Sequence, residues 1–318
     1  MLLAFATACP KPPSFDALPS GQPLAVDDAR ALAVAAEHRD RTRHSRALRG
    51  SARVVLEGPD FKLNRPQRIA IARPGKLRFE VLGLFDVLAA MLVSDGREFG
   101  FFDASSGEVT RGPMTPDLLW ELAQLDLEAD EVVDLLLATP TPSQELGLAG
   151  IWLDPDAGLT FAFSRIASPG DAEVRTPCAG LSLDGSGERD VCTGSIADLD
   201  LGAEIFRFDA HGLLREVRAV DPGWITRYRA SFEDYADVGG EGFGSAHSEG
   251  GSESAEAKAD GLERDRSMHL FPMRITVHSP RVEAMARFEW KRIMLTDELP
   301  DRLFRLPEIE ARETASGG

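Results

Sequence analysis

The side chains best suited to chemistry in this 318-residue chain are three cysteines, Cys9, Cys178 and Cys192, and six histidines. Nucleophilic catalysis needs a base within reach of the nucleophile, and a metal site needs several convergent ligands. The histidines are scattered, as His38, His44, His211, His247, His269 and His278. His211 falls in Asp209-Ala210-His211-Gly212, where turn chemistry accounts for it. The sequence holds no Gly-x-Ser-x-Gly elbow, no His-Glu-x-x-His pair and no glycine-rich phosphate loop followed by Lys. Asp184, Glu188 and Asp190 lack the spacing and terminal Glu of a calcium loop. These residues describe no reaction, so a non-enzymatic protein without metal or organic cofactor is expected.

Charge narrows the partners. With 52 acidic against 35 basic side chains the formal net charge is -17. Nucleic acid needs a basic footprint, and anionic lipid a polybasic segment, so neither is expected as an electrostatic partner. Beyond the N-terminus no apolar run approaches the roughly 18 residues of a spanning helix.

The elements follow from periodicity and capping. Residues 9–25 hold several prolines and read as a tether. Asp27 and Asp28 open a helix that runs to about Leu48 and ends at Gly50, with Arg43, Arg46 and Arg49 at the negative end of its dipole. From Ser51 the period becomes two: Ala52, Val54 and Leu56, then Ile69 and Ile71, then Leu77, Phe79 and Val81. Such alternation marks half-buried antiparallel strands. Asp95-Gly96 is a hairpin turn, followed by Phe99 and Phe101 on one face. Thr115-Pro116-Asp117 starts a short helix through Trp120, and a second covers about 129–138, apolar nearly all round and therefore covered on most sides. Strands resume at 150–153 and 159–165, the latter with Phe161 and Phe163, then at 204–208, 213–220 and 224–232. Residues 233–266 are Gly-, Ser- and Glu-rich and read as a disordered insertion; two strands, at about 273–277 and 282–295, close the fold.

Two resemblances add to this. Leu2-Leu3-Ala4-Phe5-Ala6-Thr7-Ala8, then Cys9, then Pro10-Lys11-Pro12-Pro13 resembles the cleavage site of a bacterial lipoprotein, residues 1–8 being the remnant of a signal peptide. The resemblance implies three acyl chains on Cys9, and at about 0.8 kcal/mol per buried methylene these anchor a protein almost permanently. Cys178 and Cys192 then remain as a pair. In an oxidising periplasm they would bridge, closing a loop of roughly 15 residues worth about 3 kcal/mol. A metal or redox pair is the alternative, without the tight spacing such sites use.

The order of elements, with Arg49-Gly50-Ser51-Ala52, Arg73-Pro74-Gly75-Lys76-Leu77-Arg78-Phe79, Pro272-Met273-Arg274-Ile275 and Leu303-Phe304-Arg305-Leu306-Pro307, is similar to the LolA/LolB-like group of bacterial envelope lipoprotein carriers. That similarity implies a mainly β (α+β) fold: one domain over residues 26–307, an incomplete antiparallel β-barrel with an N-terminal helix and a two-helix lid over an apolar cavity, and a tail at 308–318. It implies acyl chains of lipids or lipoproteins as partners, a role in outer-membrane lipoprotein or lipid localisation, and a monomer anchored at the outer membrane facing the periplasm. One chain of about 15 methylenes gives on the order of 12 kcal/mol gross. Val54, Leu56, Ile69, Ile71, Leu77, Phe79, Val81, Phe99, Phe101, Phe161 and Phe163 are the cavity candidates, with Trp120 and Leu136 on the lid. The same residues equally suit a packed core. Leu84 and Phe85, in Gly83-Leu84-Phe85-Asp86, match an apolar loop shown to membrane or cargo, or else continue the strand inward. With a filled core, the alternative is a structural or partner-binding envelope lipoprotein.

Overall fold

The computed structural model describes residues 21–119, 126–165, 202–222, 225–238 and 270–307. Helix α1 spans Ala29–His44. The Asp28 carboxylate caps it, accepting from the backbone N–H of Arg30 at 3.0 Å and of Ala31 at 3.4 Å. Arg41, Arg43 and His44 lie in its last turn, where the dipole favours cations. The helix stops short of the expected Leu48, because Ala47 and Leu48 already belong to strand β2 (Ala47–Glu57) and are fully buried there. Gly50 is therefore a strand residue and not a helix stop. A Cβ on it would lie 2.3 Å from the Arg292 carbonyl oxygen of the neighbouring strand.

Strand β1 (Gln22–Pro23) precedes α1, and β3 (Lys62–Ala72), β4 (Lys76–Leu82), β5 (Leu88–Asp95), β6 (Glu98–Asp103) and β7 (Val109–Pro113) follow β2. Helix α2 (Ala129–Leu136) separates them from β8 (Leu146–Leu153), β9 (Leu159–Arg165), β10 (Ala203–Phe208), β11 (Leu214–Asp221), β12 (Ile225–Asp237), β13 (Leu270–Ser279) and β14 (Ala284–Thr296). All join one antiparallel sheet in the order β1-β8-β9-β10-β11-β12-β13-β14-β2-β3-β4-β5-β6-β7. Two meanders thus meet at the β14–β2 pair. The end strands β1 and β7 do not pair with each other, so the sheet curls without closing. This is the mostly antiparallel, incomplete barrel with an N-terminal helix that the resemblance implies.

Other boundaries differ from the sequence reading as well. Gln22–Pro23, inside the stretch read as tether, pairs with Trp152 and Leu153 of β8. Residues 233–237, assigned to the insertion, continue β12: Ala236 pairs with Phe271, and the Tyr235 hydroxyl donates to the Leu214 carbonyl. The rest of the insertion, from 239 to 266, lies outside the described residues. Strand β3 also begins earlier than its apolar residues suggest, running through Asn64 and Pro66, with Pro66 opposite Arg53.

Alternate residues face a concave side, where α1 and α2 pack, and an outer side. On the outer side the segment after β14 lies across the first meander. Leu299 and Phe304 pack on Ala47, Ala70 and Ala72, and Arg78 donates to the Leu303 carbonyl at 2.8 Å. Leu306 sits directly over Gly100, where a Cβ would come within 2.7 Å of it.

Candidate functional site

The concave face is a lattice of cross-strand rows. One row runs Ile151, Phe161, Phe206, Val217, Ala230, Val277, Ala286, Leu56 across β8 to β14 and β2. Another runs Ile69, Phe79, Leu92, Phe101 across β3 to β6. The candidate residues divide between a sealed and an open zone. Val54, Ile69, Ile71, Leu77, Leu136, Phe161 and Phe163 are buried in one continuous core. Leu56 and Phe79 are half-buried against that core, and Val81, Phe99 and Phe101 are half-buried on β4 and β6. Trp120 lies outside the described residues, as do Cys9, Cys178 and Cys192.

The sealed zone is closed by aromatic packing and by α2. Phe161 meets Phe208 edge to face at 5.5 Å, and Phe163 meets Phe206 in the same way at 5.6 Å. Helix α2 buries Val132, Val133, Leu135 and Leu136 into the concave face. A capping box starts it, the Glu131 carboxylate accepting from the Glu128 backbone N–H at 2.8 Å.

One side chain fastens both helices. From the β3–β4 turn, Arg73 Nε donates to Asp134 of α2 at 2.6 Å, and Nη1 donates to the Thr42 and Ser45 carbonyls at the end of α1, at 3.2 and 2.8 Å. Nη2 donates to the Thr139 carbonyl at 2.8 Å and to its hydroxyl at 3.0 Å. A guanidinium suits this because its fork presents five donors in one plane. Burial raises the Asp134 carboxyl above the ordinary carboxylate range, with Arg73 pulling the other way. Beside it His38 is fully buried, one ring nitrogen 2.8 Å from the Pro140 carbonyl and the ring edge-on to Phe208 at 5.3 Å. Burial lowers its pKa to about 4, so it is neutral in the fold.

At one end of the barrel a cleft of about 720 Å³ opens between α2, the loop at 140–146 and strands β10–β12. Glu204, on the concave face of β10, accepts from the backbone N–H and the hydroxyl of Ser143. A bulge places Arg227 outside the β11–β12 ladder, since Ala219 pairs with Tyr228 and Val220 with Thr226. Its guanidinium therefore turns over the Tyr228 ring, 5.0 Å from the centroid, and pairs with Glu131. Burial raises the pKa values of Glu131, Glu204 and Tyr228.

The open zone ends in an exposed tip. Between β4 and β5, Leu84, Phe85 and Val87 are 76%, 97% and 63% exposed. Leu84 and Phe85 sit on a single 3-10 turn, Leu84–Asp86, and Val87 follows it in extended conformation; Phe85 and Asp86 are both at a φ of 58°. A left-handed Phe costs roughly 1–2 kcal/mol, so this turn holds its apolar side chains outward against local preference.

The sequence reading did not anticipate Arg73 as a fastener, nor the roles of Glu204, Arg227 and Tyr228. The Arg73-Pro74 turn after an apolar strand was the available signal for the first. The others come together from segments far apart in the chain. Among the described residues no group of three or more His, Cys, Asp or Glu side chains is placed to hold a metal ion, and no helix is long and apolar enough to cross a membrane.

No protein-family model matches the chain, and no curated protein matches it. Solved structures are similar to it at low identity. One is a LolA-superfamily protein from Nitrosomonas europaea, 9% identical over 87% of this chain and 97% of that chain, with a TM-score of 0.44. A DUF1329-family protein from Desulfovibrio piger is 10% identical over 87% and 96%, at 0.44. A domain named for outer-membrane lipoprotein sorting, from Vibrio parahaemolyticus, is 10% identical over 86% and 96%, at 0.43.

Proposed function

We propose that this protein engages acyl chains of lipids or lipoproteins at an envelope membrane. In this reading it is a monomer held at the outer membrane by a lipidated Cys9, facing the periplasm. The observation that carries it is the exposed Leu84-Phe85 tip with Val87, continuous along β4 with the half-buried Val81 and Phe79. Apolar side chains held out on an ordered turn gain only when another apolar phase covers them, at about 1.5–3 kcal/mol each. The tip would enter that phase, and the half-buried strip of β4–β6 would receive the chain. Deeper entry requires α2 to lift, exposing the core side of Leu135 and Leu136.

The test has two arms. Solvent extraction of the full protein purified from an envelope should release acyl lipid that is not covalently attached, and in an unlipidated Cys9→Ser protein replacing Leu84 and Phe85 by Ser should abolish co-sedimentation with neutral phosphatidylcholine vesicles while the melting temperature holds. Vesicle binding unchanged in that variant would defeat the reading. The packed state of the core supports a second reading, a scaffold lipoprotein that binds a partner protein and no lipid. Repeated extraction yielding no acyl chain would favour it.

A further inference from the structure

On the outer side of the sheet, where the two meanders meet, cations gather around Ser51. Arg49 and Arg53 flank it on the same face of β2, and directly across from it lie Arg292 of β14 and Arg68 of β3. Neighbouring strands run about 5 Å apart and alternate residues about 7 Å, so four guanidinium stems rise within that reach of Ser51. A bulge at Lys291 completes the group. Trp290 pairs with Ala52 and is buried, and the extra residue turns Arg292 outward where plain alternation would have turned it in. All four arginines and Lys291 are exposed. Two carboxylates share these rows: Glu80 is held by Arg78 and lies 3.7 Å from Arg68, and Glu289 is taken by Arg287 at 3.2 Å. Among the described residues Arg49, Arg53 and Arg292 have no ion pair and no side-chain hydrogen bond. Crowded like charges weaken a sheet, so folding alone does not account for them. Apolar surface adjoins the cluster. Met294, opposite Arg49 on the same face, is 49% exposed. Arg53 pairs with Pro66 at the end of the strands where β4 runs out into the Leu84-Phe85 tip.

We propose that this face docks on a membrane surface bearing anionic phospholipid, the arginines on the phosphate groups and the tip in the acyl layer beside them. The proposal rests on the envelope-membrane part of the proposed function and adds the class of headgroup. A guanidinium fork matches phosphate oxygens in pairs, and each cation near an anionic surface adds to the attraction. The chain has no polybasic segment; the sheet assembles a basic patch from three strands. The net charge of -17 does not oppose contact here, because salt screens charges beyond about 8 Å while the four arginines act together within that range. Nucleic acid is the weaker match, since a long polyanion reaches past the patch onto acidic surface and leaves Met294 and the tip uncovered.

Co-sedimentation of the unlipidated Cys9→Ser protein tests it, with vesicles of phosphatidylcholine alone and of phosphatidylcholine mixed with phosphatidylglycerol. The mixed vesicles should bind about a hundredfold more tightly at physiological salt. Arg49→Gln, Arg53→Gln and Arg292→Gln together should erase that gain, at about fivefold for each arginine, with the melting temperature unchanged or raised. High salt should erase it as well. Weak binding to phosphatidylcholine alone, with the gain kept, supports this proposal and counts only against acyl entry by the tip. Equal affinity for the two vesicles overturns the proposal, and so does a gain that survives the triple substitution. A DNA oligonucleotide bound through the same arginines, with the mixed vesicles left unbound, would assign the face to nucleic acid and overturn it too. If the triple variant fails to fold, Arg53→Gln alone and the salt dependence of the unsubstituted arginines decide the matter.

Discussion

The two meanders of this sheet are made by the same alternation and end in opposite conditions. In the second, β8–β12 carry Phe161, Phe163, Phe206, Phe208 and Phe232, all buried, under α1 and α2. In the first, β4–β6 carry Phe79, Phe99 and Phe101, all half-buried, and run out into a tip where Phe85 is almost wholly exposed. Aromatic content does not set this difference; cover does. Helix α1 packs on the second meander and α2 spans the middle, so the concave face of β4–β6 is left partly open. One half supplies stability and the other retains apolar surface that folding alone does not need.

The largest contrast to test lies in the cores of the two halves. Phe206→Ala removes a fully buried ring and its edge-to-face contact with Phe163, and should cost about 3–5 kcal/mol in urea unfolding. Phe101→Ala removes a half-buried ring and should cost less than about half as much. Equal costs would mean that the first meander is sealed in solution as tightly as the second.

Arg73 joins the halves, so its loss should loosen the cover selectively. Arg73→Leu leaves Asp134 without its cation and strips donors from the Thr42, Ser45 and Thr139 carbonyls. A cost of about 3–4 kcal/mol is expected. Amide exchange should rise over Val132–Leu136 before it rises over β9 and β10. Uniform exchange across both would show that α2 does not open separately.

A pH titration probes the same cover more gently. His38 packs against Phe208 and Pro140, with Arg41 and Arg73 as its nearby cations, and its pKa falls to about 4 in the fold from an ordinary 6.5. Between those values the unfolded chain binds a proton that the folded chain does not. Stability therefore declines as pH falls from about 6.5 towards 4, by up to about 3 kcal/mol, and the contribution is intact above 6.5. Asp134, Glu131 and Glu204 act with the opposite sign, because burial raises their pKa values and favours the fold as they protonate. His38→Gln should flatten the decline between pH 6.5 and 4. A slope that survives the substitution would place its origin elsewhere.

Much of the sealed half was readable from sequence and little of the cleft. Strict alternation at Ala52, Val54 and Leu56 marks β2, and Asp95-Gly96 marks the β5–β6 turn, with Gly96 at a φ of 91°. Local signals fail where tertiary contact overrides them. Pro66 hides the start of β3, and Gly50 mimics a helix stop while serving close approach to β14. No periodicity encodes whether Phe79 and Phe161, in the same alternating pattern, will be covered, because cover depends on where α1 docks. The cleft is harder still: Glu131, Ser143, Glu204 and Tyr228 lie on four separate elements or loops, and only the closed β10–β12 meander brings them together.

The smallest expected effect separates the halves most cleanly. Phe85 is 97% exposed and holds a φ of 58° and a ψ of 32°, a conformation that glycine adopts freely. Phe85→Gly gives up almost no burial and relieves the left-handed strain, so it should stabilise the protein by about 0.5–1 kcal/mol, a rise of a few degrees in melting temperature. If the tip enters an acyl phase, the same substitution in the unlipidated Cys9→Ser protein should weaken vesicle binding by about tenfold, the worth of one covered aromatic side chain. Opposite signs for stability and binding would show that the turn keeps Phe85 outward for contact and not for folding. A loss of stability instead would mean that Phe85 packs against protein in solution, and the tip would then belong with the sealed half.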